Sequence, residues 1–335
     1  MRPTLPDSQS RWWVDRHGPP DEVLQLSTGP VPRPGPGQTL IRVAAAGVNF
    51  ADGLSCEGTY QDGGIPPFTP GIDIAGTVVD GDAPALVGSG GRVVGTTATP
   101  HGSWSTYALA NARDLYPVND AIDDVTAVAA HIVFQTAWIA LHHRARIAVG
   151  DTVVVQAAAG ATGSAAVQVA CAAGARVIAV AGGPDKVAAA VAAGAEVGLD
   201  HRTDDVVGAV RDLTAGAGAD IAYDPVGAAT LEISRRCLAF EGRLLVVGFA
   251  SGGPPPTLAA NHLLVRNLDA IGIAWPDYRA RRPDLVADAQ RHIDAGLASA
   301  AFTPLVAGVR PMTEASQALA DLRRGTTVGK WVLTW

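Results

Sequence analysis

Cysteine is scarce in this 335-residue chain: Cys56, Cys171 and Cys237 are far apart and odd in number. That excludes a disulfide framework and a Cys-x-x-Cys metal knuckle, and it points to a reducing compartment, so the expected location is cytoplasmic. Basic charge is also short, with 25 Lys and Arg against 32 Asp and Glu and a net charge of −7. Nucleic-acid binding is not expected from a chain without a basic field. No membrane span is expected either: the apolar run at residues 152–183 is interrupted by Gln156, Gln168, Arg176 and several glycines. The opening MRPTLPDSQSRWW lacks the basic start and apolar core of a signal peptide.

With 48% apolar and 17% charged residues, the chain has the make-up of about two globular domains. Up to about residue 125, short strand patterns (EVLQL, TLIRVAAAGV, IDIAGTVV, GRVVGTTA) alternate with Gly- and Pro-rich turns, which predicts a β-rich domain. From Asp123 to Ala148 the spacing becomes helical and predicts a linking helix pair. Beyond it, strand candidates VVVQA, RVIAVA, VGLDH, IAYDPV and RLLVVGF alternate with helix candidates KVAAAVAAGA, DDVVGAVRDLT and ATLEISRRCLAF. Such alternation predicts a doubly wound parallel sheet. LDAIGIAW, residues 268–275, adds an edge strand that could pair with a second subunit, and PLVAGVR, MTEASQALADLRR and GKWVLTW close the chain.

The strongest local signal runs from Val153 to Val180: a buried-strand pattern, a glycine turn, an Ala-rich helix and a second strand. Gly160, Ala161, Thr162 and Gly163 keep the G-x-x-G remainder of a dinucleotide fingerprint whose first glycine is replaced by Ala158. Between a strand and a helix, this turn offers free N–H groups and close backbone approach to a pyrophosphate.

Further motifs follow in order: GVNFADG at 47–53, GTY at 58–60, PGIDIAGTV at 70–78, GGRVVG at 90–95, AAAGATGSAAVQ at 157–168, DPVG at 224–227, GRLLVVGFASG at 242–252 and VGKWVL at 328–333. Together they resemble the zinc-independent quinone oxidoreductase (zeta-crystallin-like) branch of the medium-chain dehydrogenase/reductase superfamily, over nearly the whole chain. The resemblance implies an α/β protein with a GroES-like β-rich catalytic domain at 1–125 and a Rossmann NADPH-binding domain at 126–265. Residues 266–335 would supply the edge strand of the cofactor sheet and the return to the catalytic domain. It also implies a homodimer.

Alcohol dehydrogenases of this superfamily carry a zinc-ligating cysteine where this chain has Asn49 and a histidine where it has Ile72, so no metal is expected. His101, His131, His142, His143 and His201 are scattered or on two sides of a helix and do not make a replacement site. Without a Lewis acid to hold an alkoxide, reduction of an activated acceptor is the expected direction.

The end of the second strand of the dinucleotide unit, where NAD enzymes carry an acid, reads Ala181-Gly182-Gly183, with Lys186 just beyond. NADPH is therefore the expected cofactor. By resemblance, Lys186, His201 and Arg324 surround its 2′-phosphate, Thr136 contacts it from the linking helix, and Gly248, Phe249 and Ala250 pass near the nicotinamide carboxamide.

Asn49, Asp52 and Tyr60 are the catalytic candidates: an amide N–H for a carbonyl oxygen, an orienting carboxylate, and a phenol that can stack on an acceptor or donate a proton. The leading expectation is NADPH-dependent reduction of a quinone. Reduction of enoyl or 2-alkenal substrates is the sister alternative, and a non-catalytic, crystallin-like NADPH-binding protein is a third.

Overall fold

The computed structural model describes residues 5–61, 63–82, 91–252 and 256–335. Gly90 of the GGRVVG motif and Asp62 after the GTY turn lie outside them. The chain forms two compact units, one from residues 1–132 and 306–335, the other from 133–305.

The first unit holds strands β1 (Ser8–Trp13), β2 (Gln25–Pro30), β3 (Gln38–Gly47), β4 (Asp73–Gly81), β5 (Arg92–Thr97) and β6 (Tyr107–Pro117). β1 and β2 pair antiparallel. β3, β4, β5 and β6 form antiparallel ladders, and β3 also pairs with β6, which closes these four strands on one another. Closure removes free sheet edges and encloses a core around Trp12, Ile41, Ile74, Val93 and Trp104.

In the second unit, β7 (Thr152–Val155), β8 (Arg176–Ala181), β9 (Val197–Asp200), β10 (Ala219–Asp224), β11 (Leu238–Val246) and β12 (Asp269–Gly272) make one all-parallel sheet. Its order is β12-β11-β10-β7-β8-β9. The order reverses between β7 and β10, the switch point at which doubly wound sheets bind dinucleotides. Finally β13 (Val306–Pro311) and β14 (Lys330–Thr334) return the chain to the first unit, where β14 pairs antiparallel with β3.

Four sequence expectations are corrected. EVLQL splits into a helical turn, Pro20–Val23, and the start of β2, because Pro20 fixes a helical φ at the first position. The linking helix pair is one helix, Asp124–Trp138, running directly into a π-helical segment, Ile139–Arg144. The helix expected through Phe240 stops at Cys237, and Leu238–Phe240 already belongs to β11. The second unit extends to residue 305 rather than 265, since Phe302 packs on Phe134 at 5.1 Å and buried Gln135 binds Gln290 at 2.6 Å and the Trp275 indole at 3.0 Å.

Candidate active site

In the second unit, β7 ends in the glycine turn and the helix Ala161–Ala172 begins with Gly160 as its N-cap. Ala157 takes φ 48°, a left-handed conformation that costs a non-glycine residue about 1 kcal/mol. The turn is held by Ala158 N–H to Val180 O (3.0 Å) and Gly160 N–H to Ala157 O (2.8 Å). A Cβ on Gly163 would collide with the Ala157 carbonyl, so only glycine lets helix and turn approach this closely. Gly160, Ala161 and Thr162 are partly exposed while Gly163 is buried, which leaves the helix N-terminus open to an anion.

At the end of β8, Gly182 and Gly183 lead into the helix Pro184–Ala192, which carries a half-buried Lys186. Sequence reading misses two residues here. Asp200, at the end of β9, accepts the N–H of Gly183 and of Arg202 through one oxygen, each at 3.0 Å. Arg202 thereby lies against the glycines: a Cβ on Gly182 would come within 2.7 Å of His201 Nε2 and 3.2 Å of Arg202 Nε. Burial, and after it the Arg202 charge, lowers the Lys186 pKa. Two cations held together around a side-chain-free turn are relieved by a doubly charged phosphate, so these residues fit the 2′-phosphate of NADPH. Arg202 follows His201 directly, and that adjacency is the signal that could have found it.

Thr136 is buried on the helix Asp124–Trp138. Gly248, Phe249 and Ala250 lie in the loop after β11, tied to the DPVG turn by Ala250 N–H to Pro225 O (3.2 Å) and Ser251 N–H to Val226 O (3.1 Å). That turn is organised by Asp224, whose carboxylate accepts the N–H groups of Val226 and Gly227 and the hydroxyls of Thr230 and Ser234. Arg324 belongs to the first unit, where it pairs with Asp321.

The catalytic candidates lie in the first unit. Asn49 precedes the helix Phe50–Glu57. Its Nδ2 donates to Asp73 Oδ2 at 3.0 Å, and its Oδ1 accepts from Lys330 Nζ at 2.9 Å. Lys330 and Asp73 also pair directly. Both are buried, at 1% and 0% exposure, whereas Asn49 is partly exposed. Gly47 makes the room, because a Cβ there would run into Asp73 and Lys330.

Asp52 is buried, and its two oxygens accept the N–H of Asn49 (2.7 Å) and of Gly71 (3.2 Å). Burial, with the nearby Asp73 charge adding to it, pushes the Asp52 carboxyl up to about 7. It orients the Asn49 backbone. Tyr60 is half-buried just beyond the helix end, with its N–H on Leu54 O (3.3 Å). Among the described residues, no group of three or more His, Cys, Asp and Glu side chains is placed to hold a metal ion. His131 is buried against Tyr116 at 5.7 Å.

Two family models match this chain: the alcohol dehydrogenase GroES-like domain over residues 35–120, and the zinc-binding dehydrogenase domain over 161–291. Quinone oxidoreductase-like protein 2 of Rattus norvegicus is 38% identical over 254 residues, covering 74% of this chain and 71% of that protein. A mycobacterial structure complexed with NADPH superposes with a TM-score of 0.90 at 31% identity, over 98% of this chain and 100% of that one. The Escherichia coli quinone oxidoreductase complexed with NADPH gives 0.89 at 26% identity, over 97% and 100%.

The GroES-like closed sheet and the dinucleotide sheet define a medium-chain dehydrogenase/reductase. Within that superfamily the chain belongs to the quinone oxidoreductase branch, and it is an oxidoreductase of that type.

Proposed function

We propose that this protein is a zinc-independent reductase that uses NADPH to reduce a quinone in the cytoplasm. The observation that carries the reading is the Asn49 amide, locked between Lys330 and Asp73 with one N–H left over. When bound, the nicotinamide supplies the hydride, and with one proton from water a quinone becomes a hydroquinone while NADP⁺ is left.

Asn49 donates its free N–H to the acceptor's carbonyl oxygen as negative charge gathers there, the role that a metal fills in alcohol dehydrogenases. Asp52 fixes the Asn49 backbone, and Tyr60 offers an aromatic face for a flat acceptor. The glycine turn receives the pyrophosphate, and Lys186, Arg202 and His201 receive the 2′-phosphate.

One assay tests the whole reading: single-turnover NADPH oxidation by protein dialysed against a chelator, with 1,4-benzoquinone or a crotonyl thioester. Oxidation by the quinone without added zinc is expected, with NADH a poorer donor and Arg202→Gln losing that preference. A rate with the thioester alone would replace the quinone by the enoyl alternative. Equal use of NADH and NADPH would remove the cofactor preference, and a rate that requires added zinc would end the metal-free reading.

The reading includes a homodimer. β12 lies at the sheet edge, with Phe240, Leu264 and Val265 exposed on the elements beside it, at 66%, 78% and 76%. Sedimentation as a dimer that Leu264→Glu converts to monomer is expected; a monomeric wild type would refute it.

A further inference from the structure

We infer that Lys330 is a positioning residue for the reduction, setting which way the Asn49 amide points and how strongly it donates. The inference rests on the reading that Asn49 donates to the acceptor oxygen, and it goes beyond that reading by assigning a role to a residue nearly at the chain's end.

Lys330 opens β14, and β14 pairs antiparallel with β3, whose last residue, Gly47, lies two positions before Asn49. This pairing brings Lys330 Nζ to Asn49 Oδ1 across 281 residues of sequence. The backbone is fixed from a second side by the Trp104 indole, which donates to Gly47 O at 3.2 Å. Glycine at 47 is required for the approach, since any side chain there would displace the Lys330 stem or the Asp73 carboxylate.

An asparagine amide alone can present either its oxygen or its NH₂ to a substrate. A lysine ammonium only donates, and a carboxylate facing it only accepts. With Lys330 on Oδ1 and Asp73 on Nδ2, the amide has one permitted orientation, with its oxygen committed inward and one N–H unassigned. A cation on the amide oxygen also polarises the amide and strengthens that remaining N–H as a donor. Only Asn49 of the three is partly exposed, so the lysine charge reaches an acceptor through this amide and not by contact.

A lysine held purely for charge balance with Asp73 would affect folding and leave turnover untouched. A double-mutant cycle separates the two roles. The variants are Lys330→Met, Asn49→Ala and their combination, assayed for kcat and KM with 1,4-benzoquinone and for NADPH affinity by fluorescence titration. Lys330→Met/Asp73→Asn serves as the charge-balanced variant if Lys330→Met alone fails to fold.

Lys330→Met is expected to lower kcat about tenfold or more, the loss of one charge-assisted hydrogen bond, with NADPH affinity unchanged. In the Asn49→Ala background it should lower kcat no further. The charge-balanced double variant should fold as the wild type does and stay slow. Wild-type kcat in either Lys330 variant, or the same fold-loss with and without Asn49, would overturn the inference. If Asn49→Ala itself turns over at the wild-type rate, the reading of Asn49 fails first. If Asn49→Ala is slow and Lys330→Met is not, only the role of Lys330 fails.

Discussion

Gly163→Ala is expected to abolish NADPH binding at concentrations that saturate the wild type. The added methyl meets the Ala157 carbonyl oxygen, which is backbone and has no rotamer to give. Ala157 cannot easily move, because its oxygen accepts from Gly160 N–H and the next residue's N–H is bonded to β8. The residue already sits at positive φ. Overpacking of this kind costs about 3 kcal/mol, and spread into the cofactor loop that is about a hundredfold in affinity. A lower unfolding temperature should accompany it.

Two glycines supply the contrast. Gly160→Ala places its methyl 3.3 Å from the same oxygen, so the fold should survive while the open helix N-terminus is narrowed and affinity falls. Gly272→Ala, in β12, meets nothing within 4 Å of its own protomer and should leave NADPH affinity unaltered. Fluorescence titration with NADPH and thermal unfolding read both. Wild-type affinity in Gly163→Ala would refute the assignment of this turn to the cofactor.

What could be read from the sequence was local. The glycine turn, its strand and its helix are contiguous, so spacing alone describes them, and Gly182, Gly183 and Lys186 follow within one turn of the next helix. β6 was not legible: Asn111, Arg113 and Asp114 break the alternation of YALANARDLYP, and the strand is held by pairing with both β3 and β5. β1 is likewise hidden, since SQSRWW gains its pairing from β2 and from a bridge between Arg11 and Ser105, both distant in sequence. The boundary at Leu238 was misread because LAF continues the apolar spacing of the preceding helix, and parallel pairing with β10 decides for strand.

At the site, Asn49 could be chosen because resemblance marked its position, but its partners could not. Lys330 and Asp73 reach it through sheet register, a long-range property with no trace in local composition beyond a lysine inside the apolar VGKWVL. Asp200 and Arg202 reach Gly183 in the same manner, from the strand beside it.

Asn49→Ala is expected to lower the rate of quinone reduction about a hundredfold, the loss seen when a preorganised donor to a developing oxyanion is removed. The substitution removes the only partly exposed member of the Asn49–Asp73–Lys330 cluster and leaves the buried ion pair in place. The helix that follows keeps Asp52, whose carboxylate binds the residue 49 backbone and not its side chain. Cofactor affinity, which the proposed function assigns to the second unit's own glycine turn and cations, should stay within about twofold, the few tenths of a kcal/mol expected between independent sites. The decisive measurement is therefore the single-turnover rate of NADPH oxidation by 1,4-benzoquinone in Asn49→Ala at saturating cofactor. A rate about a hundredfold below wild type, with NADPH affinity retained, is the predicted result; oxidation at the wild-type rate would contradict the account.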